Sequence, residues 1–220
     1  MHHARLILFP GLGFDHRVFS KLDLGHYHIH PVNWQEPLPG ETLRDYSLRL
    51  VKDVSISPEN TLLIGHSFGG IVAQEIATAL PVKHLILISS IKSRQENPRH
   101  FQMLHKLGLI PLFSQSLINL TFPFWAKSKD DTSPEASELM MDMVKQHSNT
   151  YLRWALEQLS KWPGPEKDLP ITHLHGNRDL SFPVKRIREP VYIIPGGTHF
   201  MVYKEASKIS EHIQRIITQL

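Results

Sequence analysis

Apolar runs and helical stripes alternate along the first part of the chain. Leu6, Ile7, Leu8 and Phe9 follow one another without polar interruption, which predicts a buried strand over Arg5–Phe9. Pro10-Gly11-Leu12-Gly13 carries turn chemistry, and Asp15–Leu22 predicts a short helix with Val18, Phe19 and Leu22 inward. His26–Trp34 reads as a second strand, with His26, His28 and His30 on one face and Tyr27 and Ile29 on the other. Beyond the Pro37-Leu38-Pro39-Gly40 loop, Thr42 caps a helix running to about Val54, striped by Leu43, Tyr46, Leu50 and Val54. The run from Thr61 to Gly65 is a third strand, and Ile71, Val72, Ala73, Ile76, Ala77 and Leu80 stripe the helix after it. Lys83–Ser89 is a fourth buried strand. This alternation predicts an α/β fold, an open and mostly parallel sheet with helices on both faces.

The rhythm breaks between Ile91 and Trp162, where the pattern is helical throughout. Phe101, Leu104, Leu107 and Leu109 form one piece, and Leu112–Trp125 is strongly apolar, with Phe122, Phe124 and Trp125 near its end. A polar break over Lys127–Thr132 precedes a helix start at Ser133-Pro134-Glu135, and Leu152, Ala155, Leu156 and Leu159 stripe a further helix. Trp162-Pro163-Gly164-Pro165 stops the pattern. Strands over Leu169–His175 and Val191–Ile194 follow, with a short helix over Pro183–Arg188 between them. A terminal helix runs from about Met201, striped by Ala206, Ile209, Ile213, Ile216 and Leu220. The expected organisation is a core of about six strands from residues 1–90 and 163–220. Residues 91–162 are inserted as a helical lid over an apolar ligand, or as a plain helical excursion.

Composition narrows the function classes. The 220 residues suffice for one domain with a sizeable core, and 41% hydrophobic with 20% charged residues is the balance of an ordinary globular protein. The net charge of +3 is spread without a Lys/Arg block, so no nucleic-acid partner is expected. The absence of cysteine excludes a disulfide scaffold, a thiolate metal site and a cysteine nucleophile. The opening apolar run is too short for a signal peptide and is broken by Pro10-Gly11. No stretch approaches a membrane span, and a cytoplasmic location is the default expectation. His2 and His3 are too few to read as a tag. The alternating histidines of the second strand lack an accompanying carboxylate, so they read as the polar face of an edge strand rather than a metal site.

Candidate chemistry centres on Gly65-His66-Ser67-Phe68-Gly69-Gly70, where a strand, a sharp turn and a helix meet at a serine. This is the pattern of a nucleophile elbow, with the helix N-terminus behind the hydroxyl suited to a forming oxyanion. In a parallel sheet, ligands gather beyond the carboxyl ends of the strands. Ser67, Asp179 and His199 each lie in such a loop, in the chain order of hydrolases built on the elbow. A serine needs a base within about 3 Å; His199 fits that role and Asp179 would hold its second ring nitrogen. Glu96 is a rival acid from the loop after the fourth strand, Asp168 lies at the wrong end of the sheet, and His66 reads as a shaping residue. The oxyanion donors expected are the backbone N–H of Phe68 and that of Leu12, with Gly13 second and Gly11 in the same substrate-binding loop.

Phe9-Pro10-Gly11-Leu12-Gly13, Gly65-His66-Ser67-Phe68-Gly69-Gly70, His175-Gly176-Asn177-Arg178-Asp179 and Gly197-Thr198-His199-Phe200 together resemble the four motifs of the α/β-hydrolase superfamily, within it the small lidded esterases and thioesterases. The chain departs from that pattern by carrying Pro10 where His often precedes the glycine, and by lacking the family's first two strands. The resemblance implies hydrolysis of a carboxylic ester or thioester of a small, partly apolar acyl substrate, through an acyl-serine and without a cofactor. Carbon–carbon bond hydrolysis, a lyase on the same triad, and a non-catalytic binding homologue are the alternatives.

Overall fold

The computed structural model describes residues 4–128 and 133–220, with the backbone alone for 122–128. His2 and His3, the 129–132 part of the polar break and the side chains of Phe122, Phe124 and Trp125 lie outside the described residues. Six strands form one sheet: β1 (Arg5–Phe9), β2 (His28–Pro31), β3 (Thr61–His66), β4 (His84–Ile88), β5 (Ile171–Gly176) and β6 (Tyr192–Ile194). Their order is β2-β1-β3-β4-β5-β6, and every neighbouring pair is parallel. From β1 the chain steps outward to β2, then returns across β1 to β3. The crevice between the carboxyl ends of β1 and β3 is therefore the switch point at which such sheets bind ligands.

Strand alternation sends successive side chains to opposite faces. On one face Ile7, Phe9, Leu63 and Leu85 meet helices α1 (Leu43–Leu50) and α2 (Phe68–Ala79), through Tyr46, Ile71 and Ile76. On the other, Leu6, Leu8, Leu62, Ile64, Ile86 and Ile88 meet Val18, Phe19, Ile209 and Ile213. Between β4 and β5 the chain carries α3 (Arg99–Lys106), α4 (Gln115–Ser128), α5 (Pro134–Lys145) and α6 (Asn149–Lys161). Tyr151, Leu152 and Leu156 of α6 join the α1–α2 face, while Met140 and Met143 of α5 join the opposite one. The N-termini of α1, α5 and α6 are closed by Thr42, Ser133 and Ser148, whose hydroxyls accept backbone N–H groups three residues on.

Several elements are shorter than their patterns predict. The second strand holds only His28–Pro31; His26 sits in the preceding turn, and the strand pairs with β1 alone as the sheet edge. Helix α1 ends at Leu50 rather than Val54. The Asp15–Leu22 and Pro183–Arg188 stretches form only short 3-10 turns, His16–Phe19 and Val184–Arg186, closed by hydrogen bonds three residues back, from the Ser20 N–H to Arg17 O and from the Ile187 N–H to Val184 O. The terminal helix is broken at Glu205 into α7 (Met201–Lys204) and α8 (Ala206–Gln219), and Leu220 leaves the buried stripe for solvent.

Candidate active site

The turn from β3 to α2 holds Ser67 at φ 53° and ψ −122°, a conformation that side chains rarely adopt. Local hydrogen bonds fix it. The Ser67 N–H donates to Ile88 O at 2.9 Å, and its carbonyl accepts from Ser90 Oγ at 2.7 Å and from the Gly70 N–H at 2.9 Å. Gly69 makes the turn possible: a Cβ there would lie 2.1 Å from Phe9 O and 2.3 Å from Pro10 O. The helix start thus presses directly on the end of β1.

Loops from the two last strands meet in the same way. At Gly176 a Cβ would fall 2.1 Å from Gly197 O, so the β5 and β6 loops touch backbone to backbone. The Arg178 N–H also donates to Gly197 O at 2.9 Å. This contact brings Asp179 and His199 together from positions twenty residues apart. His199 Nδ1 lies 2.8 Å from Asp179 Oδ2, and His199 Nε2 lies 2.9 Å from Ser67 Oγ. The other carboxylate oxygen, Oδ1, accepts the Phe182 N–H at 2.8 Å. Burial pushes the Asp179 carboxyl upward, but the charge and hydrogen bond of His199, with His175 and the Phe182 N–H, outweigh it and hold it below its ordinary value. A hydroxyl aligned on an imidazole, itself held by a buried ionised carboxylate, is an arrangement that can deprotonate the hydroxyl.

The β1 loop stands opposite. The Gly11 carbonyl accepts the Phe14 N–H at 3.0 Å and Trp34 Nε1–H at 3.2 Å, which fixes the loop from behind. Gly11 itself lies against His66, whose Nε2 is 2.9 Å from the His199 carbonyl oxygen. Among the described residues the Leu12 N–H makes no backbone hydrogen bond. The Phe68 N–H opens α2, where no intrahelical acceptor exists. Leu12, Gly13, Ser67 and His199 line a pocket of about 270 Å³. Its far wall is apolar and comes from the 91–162 stretch: Phe101, Leu104, Phe113, Ile118, Val144, Leu152, Leu156 and Leu159.

The structure therefore brings Ser67, Asp179, His199, Leu12 and Gly13 to one crevice and places Gly11 and Phe68 behind it. Glu96 does not reach His199. It is buried in its own loop, accepting the Lys92 N–H at 2.5 Å and the Arg188 N–H at 2.9 Å. Asp168 precedes β5, away from the crevice. Among the described residues no three His, Cys, Asp or Glu side chains cluster as a metal site.

The motifs assign no role to three contributors. Ser90 braces the elbow and Trp34 braces the β1 loop. His175 is fully buried, with Nε2 2.8 Å from Phe182 O and Nδ1 3.3 Å from His173 Nε2. Burial holds both imidazoles below their ordinary value, His173 far below, against the pull of Asp179.

Residues 6–215 match the model of the Alpha/beta hydrolase family. No curated protein matches the chain in sequence. Among solved structures, a thermophilic esterase from Thermogutta terrifontis is similar at 15% identity and a TM-score of 0.71, over 98% of this chain and 90% of that one. MenH from S. aureus is similar at 17% identity and a TM-score of 0.73, over 98% and 94%. An esterase, EaEST, from Exiguobacterium antarcticum is similar at 13% identity and a TM-score of 0.73, over 98% and 92%. No described helix is long and apolar enough to cross a membrane.

Proposed function

The chain belongs to the alpha/beta hydrolase family, and from that premise we propose that it is a serine hydrolase cleaving a carboxylic ester or thioester of a small, partly apolar substrate. Likeness at 13–17% identity carries the fold alone, so the chemistry rests on geometry. One observation carries it: the unbroken path from Ser67 Oγ through the His199 ring to Asp179, at 2.9 and 2.8 Å.

In this reading Ser67 Oγ attacks the acyl carbon while His199 Nε2 takes its proton. Asp179 holds the ring in register and stabilises the imidazolium. The carbonyl oxygen, negative in the tetrahedral intermediate, takes the N–H groups of Leu12 and Phe68, aided by the α2 dipole. His199 returns the proton to the departing alcohol or thiol, leaving an acyl-serine. Water then attacks the acyl carbon with His199 as base, and collapse releases the acid and restores Ser67. The helices of residues 91–162 act as the lid, and their apolar pocket wall receives the acyl group.

Hydrolysis of a short-chain aryl ester and its thioester tests the proposal. Wild type is expected to turn over at least one of them, with Ser67→Ala lower by at least about a thousandfold. Turnover by Ser67→Ala at the wild-type rate would overturn it.

A further inference from the structure

The lid-forming stretch has a second face that the proposed chemistry leaves unused. Six of the twelve exposed large apolar side chains among the described residues fall within it: Met103, Leu107, Leu109, Leu112, Leu117 and Leu120. Met103 and Leu107 are one turn apart at the end of α3, Leu109 precedes and Leu112 ends the 3-10 turn Ile110–Leu112, and Leu117 and Leu120 are one turn apart on α4. Leu112 and Leu120 are 67% and 73% exposed, and it is the gathering of six such side chains in one stretch, not the exposure of any one, that marks an interaction surface.

Charge separates this face from the rest of the chain. From Asn97 to Ser128 there is no Asp or Glu, although the whole sequence has 21; the charged residues are Arg99, Lys106 and Lys127. Arg99 and Lys106 are exposed beside Met103 and Leu107. On the neighbouring helices Asp142 pairs with Arg17 at 2.5 Å and Glu157 with Lys161 at 3.4 Å, while Glu138 of α5 is exposed. An apolar surface whose own elements carry cations and no acid from Asn97 to Ser128 is complementary to a negatively charged bilayer interface, where leucines enter the acyl boundary and Lys/Arg meet the headgroups.

We infer that the outer face of α3, the Leu107–Leu112 turn and the start of α4 docks on an anionic lipid surface. The same elements carry Phe101, Leu104, Phe113 and Ile118 on the pocket side. An acyl chain leaving the bilayer thus has only the thickness of these elements to pass before it reaches the pocket. The docking itself is independent of the chemistry assigned to Ser67.

Co-flotation with vesicles tests it, using phosphatidylcholine alone and an equal mixture of phosphatidylcholine and phosphatidylglycerol. The full chain should float with the mixed vesicles roughly ten- to thirtyfold more strongly than with the neutral ones, and high salt should remove the difference. Leu107→Glu combined with Leu112→Glu should abolish flotation while leaving the urea unfolding midpoint unchanged, which separates failed docking from failed folding. Absence of wild-type binding to the mixed vesicles would overturn the inference. So would equal binding to both compositions, or a wild-type dimer in solution that the double variant dissolves, since a second copy would then be what covers the face.

Discussion

His175 Nε2 and Asp179 Oδ2 stand 3.8 Å apart with no hydrogen bond between them; the His175 ring donates instead to the Phe182 carbonyl, 2.8 Å away. The Phe182 N–H in turn donates to Asp179 Oδ1. His175 therefore holds the carboxylate through the Asp179–Phe182 turn, as a positioning residue. Replacing it with Phe keeps a ring in the space and leaves the Phe182 carbonyl buried without its donor, a loss of about 1–3 kcal/mol. His175→Phe is expected to lower kcat about tenfold with KM little changed, measured on a short-chain ester.

The β1 loop depends on Trp34 in the same indirect way. Its Nε1–H donates to the Gly11 carbonyl, one residue before the Leu12 N–H assigned to the oxyanion. Trp34→Phe removes that donor while keeping an aromatic ring beside Tyr46, Phe68 and Tyr151. Loss of a whole oxyanion donor costs about 100- to 1,000-fold in kcat, so a loosened one should cost less, on the order of tenfold. Steady-state kinetics should show the fall in kcat, not in affinity.

Gly69→Ala would put a methyl group 2.1 Å from the Phe9 carbonyl oxygen, a backbone atom at the end of β1. Neither atom can move aside without shifting β1 or α2. A destabilisation of about 3 kcal/mol or more is expected in urea unfolding. Gly25→Ala is the contrasting variant, since nothing lies within 4 Å of its added Cβ, although its φ of +64° carries some strain.

Stability should fall on acidification. His173 and His175 are held below the ordinary value of 6.5, so below about pH 6.5 the unfolded chain binds protons that the folded chain refuses. Unfolding free energy then rises with pH, with a slope of up to about 1.4 kcal/mol per pH unit for each imidazole kept neutral. Urea unfolding between pH 7.5 and 5 should show the decline, and His173→Phe should make it shallower (roughly one such slope removed).

Local signals made the sheet and the elbow readable. Four uninterrupted apolar residues in β1 and the stripe of α2 are short-range patterns whose burial follows from their own sequence. The Ser67, Asp179 and His199 loops were recognisable because each follows a strand at the same end of a parallel sheet. What stayed hidden is non-local. Nothing beside Trp34 or His175 in sequence announces a partner 23 or 7 residues away. The break at Glu205 and the shortening of β2 depend on where α8 and the sheet edge meet the core. Glu96 looked available as an acid because its loop follows a strand; its carboxylate is consumed by two backbone N–H groups of that loop and of Arg188.

The most direct measurement of the proposed chemistry is intact-mass and peptide mapping after exposure to a fluorophosphonate. The account predicts one covalent adduct, mapped to Ser67, absent in Ser67→Ala and formed much more slowly in His199→Ala. An adduct that forms on Ser67→Ala at the wild-type rate, or that maps to another residue in the wild type, would contradict it.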